Sequence, residues 1–550
     1  MRFGALSTKW LQADVIAGLT VAAVVIPKAM AYATIAGLPV QVGLYTALVP
    51  MVVYAFIGTS RPLSVSTTTT IAILSAAALG TAVPSGAPDE LIAAAATLAV
   101  MVGVLLALAG ALKLGFIANF ISDPVLAGFK TGIGFVIVVD QLPKLLGIHI
   151  HKAGFFRDVY AIVAALPATS LITLGVTVGL FLFIVLMERF LPKAPTPLLA
   201  VAVGIGASAA FGLSALGIKL IGEVPSGLPL PVMPVLGLGE ALWPAAIGIA
   251  LMSFTETIAA GRAFARADEP RLTPNRELFA LGAANAVGGL FGAMPAGGGT
   301  SQTAVARRAG ARSQLAGLVC AGATFATLLF LAPVIGYMPQ AVLAAVVVAY
   351  SLELIQPREF MAIRAVRVHE FRWALVACLG VMVLGTLKGI LVAVILSLLS
   401  LAQQAYAPPV YTLARKRGTQ AFRKASAAHP DDESWPGLAL IRFEGRAFFL
   451  NAQTLADRIG AIIDETKPKV VVIDLSAVFD IEYTALKMLD EGERKRAAEG
   501  VELWLAALNP SVREMVERSE LGKRLGRERM FLSVADAVEA FAARERTQRA

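Results

Sequence analysis

Hydroxyl, amide and glycine residues cluster at two places in an otherwise apolar sequence. Residues 64–74 read SVSTTTTIAIL and residues 297–306 read GGGTSQTAVA, and neither stretch holds a carboxylate, an imidazole or a thiol. A helix that starts on such residues presents N–H groups without carbonyl partners and about half a positive charge. Two such starts facing each other offer about one unit of positive potential and many N–H donors, a setting for an anion. Ser64, Ser66, Thr67, Thr300, Ser301 and Thr303 add hydroxyls and Gln302 adds an amide, while Gly297, Gly298 and Gly299 would let a ligand approach the backbone. The competing expectation is that these small residues only permit close helix packing.

Two ionisable side chains stand inside apolar runs nearby in the chain. Lys28 follows Pro27 in VAAVVIPKAMAYA, and Glu256 lies in ALWPAAIGIALMSFTETIAAGRAFA after fifteen uncharged residues. Each costs roughly 3 kcal/mol at the centre of a bilayer, so function is the first reading for both. They can form a charge pair, or serve apart: Lys28 as the anion's partner, Glu256 as acceptor of a coupling proton or sodium ion. Alternatively, Lys28 snorkels and Glu256 lies near a helix end. Tyr32 is added as a cavity wall, whereas Asp123, Lys130 and Asp140 read as interfacial or interhelical. His149 and His151 read as a solvated loop, and Cys320 and Cys378 belong to no cysteine cluster. No metal or organic cofactor is expected. No GxxxxGK[ST] motif points to an ATP-driven pump, and no nucleophile–base constellation points to an enzyme.

The elements that must position these residues are membrane spans. The 550 residues are 57% hydrophobic and 15% charged, against about one quarter charged in a soluble domain. Stretches such as 29–60, 62–88, 159–187, 278–306 and 313–352 contain no Asp, Glu, Lys or Arg, and about 20 apolar residues suffice to cross a bilayer. Fourteen hydrophobic segments are centred near residues 20, 50, 72, 101, 133, 178, 205, 249, 285, 306, 323, 345, 380 and 398. Loops after even-numbered segments are basic (ERFLPK, QPREFMAIRAVRVHEFR, ARKRGTQAFRK). Those after odd-numbered segments are mostly uncharged, with KLLGIHIHKAGFFRD the exception. This asymmetry places both termini in the cytoplasm and the chain in the cell membrane. It also accounts for the net charge of +9 without any nucleic acid. The irregular segments are third in each set of seven, which points to inverted repeats whose broken helices meet near the midplane. The fold class is thus an all-α polytopic membrane domain with a 7+7 inverted repeat and two half-helices, over residues 1–407.

From residue 408 the composition becomes that of a soluble domain. Residues 408–436 read as a polar linker. Residues 437–550 alternate strand-like LALIRFEG, KVVVIDLS and VELWLAAL with helical stretches, as in a small α/β domain.

Together these stretches resemble the SulP family, the sulfate permeases and related anion transporters, over nearly the whole chain. The resemblance is carried by DVIAGLTVAAVVIPKAMAYATIAGLPVQVGLY, GTSRPLSVS, FISDPVLAGFKTG, DQLPKLLGI and NRELFALGAANAVGGLFGAMPAGGGTSQTAVARRAGA. At the C-terminus, DLSAVFDIEYTALKML and LNPSVREMVERSELG are similar to a STAS domain. It implies core and gate subdomains, an anion held between the third and tenth helices, elevator-like alternating access and a homodimer. It also implies that Glu256 bears on proton or sodium coupling and that sulfate or bicarbonate is the cargo. A C4-dicarboxylate carrier, an uncoupled anion channel and a membrane anion sensor acting through its STAS domain on a cytosolic protein are the alternatives. Thr484 matches the STAS phosphorylation position, with a helix N-cap as its plainer role. The chain departs from the family pattern at Lys28, where Gln usually follows Pro. It departs again at Ser301-Gln302-Thr303, where Ser-Arg-Ser is frequent, and at Thr67–Thr70, where Gly-Pro is more usual.

Overall fold

A computed structural model of the chain describes residues 8–119, 122–151, 153–191 and 194–549. Residues 1–7 and the loop lysines Lys152 and Lys193, which entered the topology expectation, lie outside the described residues. The chain divides into two compact units, Met1–Leu398 and Leu399–Ala550.

Each of the fourteen apolar segments is helical. They are α1 (Thr8–Ile35), α2 (Val40–Ile57), α3 (Thr69–Ala82), α4 (Pro88–Ala111), α5 (Asp123–Leu146), α6 (Leu171–Phe190) and α7 (Thr196–Phe211), followed by α8 (Gly239–Ala263), α9 (Pro274–Leu290), α10 (Thr300–Arg308), α11 (Leu315–Ile335), α12 (Gln340–Leu352), α13 (Val368–Leu384) and α14 (Thr386–Tyr406). Two further short helices, Phe155–Ala165 and Pro357–Val366, lie between these segments, and at 11 and 10 residues each is too short to read as a span.

The membrane helices sort by contact into two bundles. α1 packs on α2 and α11, α9 on α4 and α2, and α8 on α3 and α4, which gathers α1–α4 with α8–α11. α5 packs on α12 and α13, and α6 on α5, α7 and α12. Lipid offers no hydrophobic drive for this, so close backbone approach must supply the attraction. Between α4 and α9 a Cβ at Gly103 would stand 2.5 Å from the Ala286 nitrogen, and one at Gly282 would stand 2.8 Å from the Ala107 nitrogen.

The third segment of each repeat is broken as expected. β1 (Val65–Ser66) and β2 (Gly297–Gly298) pair antiparallel, Val65 opposite Gly298 and Ser66 opposite Gly297. From this crossing start α3, 14 residues long, and α10, 9 residues long. Buried side chains fix the irregular approaches. Gln314 donates to the carbonyls of Ser60 (2.8 Å) and Leu63 (2.9 Å). Asn285 accepts from the Ala296 N–H (2.8 Å) and donates to the Ala296 carbonyl (3.1 Å). Glu277, fully buried, accepts from Tyr54 Oη (2.8 Å), from the Thr59 N–H (2.8 Å) and from the Thr59 hydroxyl.

The second unit is a six-stranded sheet ordered β10-β9-β7-β5-β3-β4. Its strands are β3 (Val410–Arg415), β4 (Phe422–Lys424), β5 (Leu438–Phe443), β7 (Val470–Asp474), β9 (Glu502–Ala506) and β10 (Met530–Phe531). A short pair, β6 (Gly445–Ala447) with β8 (Val478–Ile481), stands beside it. Alternate residues face opposite sides. Ile441, Ile473 and Leu505 meet helices α15 (Ala452–Thr466) and α16 (Tyr483–Ala498), while Leu440, Val472 and Trp504 meet the C-terminal helix Val534–Arg549. β7 is buried throughout, as a central parallel strand covered on both faces should be.

The expected linker at 408–436 is therefore corrected: β3 and β4 form a hairpin on the sheet edge. Its polarity comes from ion pairs across the edge, Arg415 with Glu433 and Arg423 with Asp432. The Arg423 guanidinium hydrogen-bonded to Asp432 holds that carboxyl below its usual range.

Removing the buried carboxylate in Glu277→Ala should strand the Tyr54 and Thr59 donors at a cost of about 3 kcal/mol. The thermal midpoint of the detergent-solubilised protein should fall by several degrees, whereas the exposed Glu240→Ala should leave it in place. Equal midpoints for the two variants would remove Glu277 from the support of the crossing.

Candidate anion-binding site

A cavity of about 480 Å³ opens where α3 and α10 begin. It is lined by Lys28 and Tyr32 of α1, Thr68–Thr70, Glu256 of α8, and Gly299–Gln302, and across from them by Asp123 and Lys130 of α5 and Tyr350 of α12. It therefore lies between the two helix bundles. Its inner end is buried: Lys28 and Gln302 are each 2% exposed and Glu256 is 6% exposed. Asp123, Glu353 and Glu359, at its other end, are exposed.

The backbone around the cavity is hydrogen-bonded nearly everywhere, as membrane depth demands. Gly298 N–H donates to Thr257 Oγ1 (2.8 Å), Gly299 N–H to the Ser64 carbonyl (3.0 Å) and Ser64 N–H to Thr303 Oγ1 (3.2 Å). Ser253 Oγ donates to the Ala296 carbonyl at 2.7 Å. What stays open are the first-turn N–H groups of the two half-helices, which have no preceding carbonyl to meet. Thr68 caps α3 by accepting from the Ile71 N–H (3.3 Å), and Gly299 caps α10 without a side chain. Both N-termini present their positive ends to the cavity.

The polar side chains are held in place. Lys28 Nζ donates to Ser301 Oγ at 2.8 Å and lies 3.6 Å from the centroid of the Tyr350 ring. It does not snorkel, and the expected alternative of a direct Lys28–Glu256 pair does not form, because Glu256 instead accepts from Thr68 Oγ1 at 2.8 Å. Gln302 Oε1 accepts from Ser66 Oγ (2.8 Å) and Ser64 Oγ (3.3 Å). Among the described residues nothing takes up its amide N–H₂, which leaves two donors at the start of α10.

The sequence-derived candidates thus divide. Lys28, Tyr32, Glu256, Gly299, Thr300, Ser301 and Gln302 come together on the cavity wall, while Ser66, Thr67 and Gly298 do not line it. Ser66 braces Gln302 from behind, and Thr67 Oγ1 is buried with no hydrogen-bond partner. Gly297 and Gly298 are small for a packing reason. A Cβ on Gly297 would lie 3.2 Å from Ser253 Cα, and one on Gly298 would lie 2.8 Å from Thr257 Cα, both in α8. A Cβ on Gly299 would stand nearest the Gln302 side chain, 2.7 Å from its Oε1.

Several wall residues escaped the sequence reading. Asp123 and Lys130, expected to be interfacial or interhelical, line the cavity together with Leu126 and Ala127. Their spacing of three, four and seven is one face of α5, a signal that was present in the sequence. Tyr350 of α12 and Glu353, just past its last residue, also line the cavity, and no comparable pattern marks them in the sequence. In the second unit, Thr484 is exposed and stands within the first turn of α16. The N-cap is Glu482, so the N-cap role expected as the plainer alternative is corrected.

Paired half-helices starting from one antiparallel crossing, set in a cavity between two helix bundles, define a multi-pass membrane protein of transporter architecture. The sequence model of the sulfate permease family matches residues 11–377, and that of the STAS domain matches residues 429–537. The chain belongs to the sulfate permease family. It is 33% identical to a Mycobacterium tuberculosis protein named "Probable sulfate transporter", over 98% of this chain and 97% of that one. It is 30% identical to sulfate transporter 3.2 of Arabidopsis thaliana, over 97% and 86%. In fold it is similar to the murine solute carrier 26 family member A9 anion transporter in the inward-facing state. The TM-score there is 0.90, with 22% identity over 98% of this chain and 92% of that one. It is also similar to the transmembrane domain of a cyanobacterial bicarbonate transporter, with a TM-score of 0.63 and 24% identity over 71% and 98%.

Gly298→Ala and Gly299→Ala separate packing from access. The first must push α8 away and break the Gly298–Thr257 bond, so it should lower the thermal midpoint by several degrees, a loss of about 2 kcal/mol or more. The second moves no backbone but shifts the Gln302 amide from the Ser64 and Ser66 hydroxyls, so it should lower the midpoint less than the first, a loss of about 1 kcal/mol. The reverse order in differential scanning fluorimetry would show that this reading of the two glycines is mistaken.

Proposed function

We propose that the protein is a secondary active transporter of an inorganic anion, sulfate or bicarbonate, working by elevator-type alternating access. The observation that carries this reading is the ammonium of Lys28 held against Ser301 at the mouth of two opposed half-helices. An oxyanion placed there meets one full positive charge, two helix N-termini, the Gln302 amide and threonine hydroxyls.

The cavity's exposed end is built from Glu353, Gln356 and Glu359, on the side where the loop charges place the cytoplasm. That supports an inward-open state, with both termini cytoplasmic and the chain in the cell membrane. The murine neighbour of similar fold is likewise in an inward-facing state. The sulfate transporters among the relatives support sulfate, and the cyanobacterial neighbour supports bicarbonate, as the cargo. Glu256 is the coupling residue in this reading. It is a buried carboxylate that accepts from Thr68, which leaves acceptor capacity for a proton or sodium ion. The assembly is a homodimer, and the STAS unit, with Thr484 exposed for modification, serves as its regulatory module and binds a cytosolic partner.

The full-length protein in proteoliposomes, offered labelled sulfate, bicarbonate and fumarate under imposed pH or sodium gradients, tests the reading. Uptake of sulfate or bicarbonate driven by one gradient is expected. Fumarate uptake alone would make the protein a dicarboxylate carrier, gradient-independent conductance would make it a channel, and binding without uptake would make it a sensor. Lys28→Gln should lower the initial rate at least about tenfold at equal protein content, the loss expected when a desolvated charge partner is removed. Unchanged kinetics would take Lys28 out of the binding site. Glu256→Gln should retain anion binding and lose the response to the driving gradient, and a variant as responsive as wild type would clear Glu256 of coupling.

A further inference from the structure

Lys28 has a second contact that anion binding alone does not require. Its Nζ stands 3.6 Å from the centroid of the Tyr350 ring as well as 2.8 Å from Ser301 Oγ. The ammonium has three donors, and among the described residues no carboxylate lies within ion-pair distance of it, although Glu256 and Glu353 border the same cavity. A buried cation in that position leans on the negative face of the ring, at the strong end of the cation–π range because little water competes. Lys28 belongs to α1 in one bundle, and Tyr350 to α12 in the other. α1 packs on α12 and α7 along this boundary, and among the described residues the Lys28–Tyr350 contact is the one tie there that involves a charge of the cavity; it joins the two bodies that must move past each other in the carrier reading, on which this inference rests.

We propose that Tyr350 is a latch for Lys28, closed while the site is empty and released by the arriving anion. An anion beside Lys28 offers a full charge where the ring offers a quadrupole, so the ammonium turns its field to the cargo and the tie between bundles weakens. The empty carrier is held in this state by a contact that the opposite state lacks, and the loaded carrier is not. A contact made in only one state shifts the balance between states by its own free energy. Return of the empty site is then the slow step, and exchange of anion for anion outruns net uptake. Tyr350 acts through Lys28 and is a positioning residue.

The test compares two initial rates for each variant, using the full chain in proteoliposomes and whichever of sulfate, bicarbonate and fumarate the wild type moves. One set of vesicles is preloaded with the same unlabelled anion and the other is not. Wild type should take up label about tenfold faster into preloaded vesicles, the ratio a desolvated cation–π contact supports. Tyr350→Leu should bring the ratio close to one by speeding entry into unloaded vesicles. Tyr350→Phe keeps the ring face and should keep the ratio. Because each ratio is internal to one preparation, poor folding scales both rates alike, and Tyr350→Met serves should the leucine variant fail to reconstitute. A wild-type ratio of one, aliphatic variants with the wild-type ratio, or a phenylalanine variant that behaves as the leucine one would each overturn the latch while leaving the carrier reading intact. A wild type that moves none of the three anions overturns both.

Discussion

A peptide group at membrane depth has no water to bind, and that constraint governs the centre of this molecule. Residues 58–68 around β1 and 291–299 around β2 leave helical geometry inside the bilayer-spanning unit, and each exposed N–H or carbonyl there would cost several kcal/mol. The chain meets the demand with side chains from the surrounding helices. Ser253 and Thr257 from α8, Asn285 from α9, and Gln314 beside the start of α11 each bond one or two main-chain groups of the crossing. The glycines at 297 and 298 let α8 come near enough to do so. With those groups satisfied, the first-turn N–H groups of α3 and α10 are what remains. Their unpaired state, a liability in lipid, becomes the donor array of a site once a cavity stands in front of them.

How much of this was legible in the sequence follows from which forces leave a local trace. Apolar length is written residue by residue, so the fourteen segments were readable. The matched irregular stretches stood out because hydroxyls and glycines are costly choices inside a span. Lys28 and Glu256 were legible for the same reason, as charges where charge is expensive. The rest depends on partners distant in the chain. Gly298 and Gly299 are adjacent and identical in type, yet one faces Thr257 Cα and the other faces the cavity, a difference set by α8 some forty residues upstream. Asp123 and Lys130 lie on the cavity face of α5 only because α5 meets α12 and α13. The edge hairpin of β3 and β4 passed for a linker, since its charges are paired across the sheet edge and a string of letters does not show pairing. Tyr350 had no signal of its own: an aromatic residue near the end of an apolar helix reads as packing until a cation is found on its face.

The electrostatics of the cavity are less one-sided than its function implies. Asp123, Glu256, Glu353 and Glu359 border it, against two ammonium groups, Lys28 and Lys130. The positive potential is therefore local. It is centred on Lys28 and the helix termini at the buried end, where Glu256 offsets part of it, and it weakens further toward the exposed carboxylates. In the proposed carrier such a gradient holds an anion at one depth without drawing it in from far away, which favours release as well as capture. In the proposed carrier the same carboxylates also give a coupling cation several places to stand near the anion.

Placing the cation on α1 rather than on α10 has a mechanical consequence. A charge fixed on α10 would sit at the mouth of its own helix and move with it, whatever the second bundle did. Lys28 reaches α10 from the next helix on a long flexible stem, with Ser301 on one side and Tyr350 on the other. Its two neighbours come from different bundles, and in the proposed latch the anion competes with both. The neutral Gln302 fits this arrangement, because a second cation at that place would repel Lys28 from Ser301 and remove the choice of partners. In the proposed latch, the same substitution of residue types that shifts the charge thus turns a static anchor into a group whose neighbours depend on cargo.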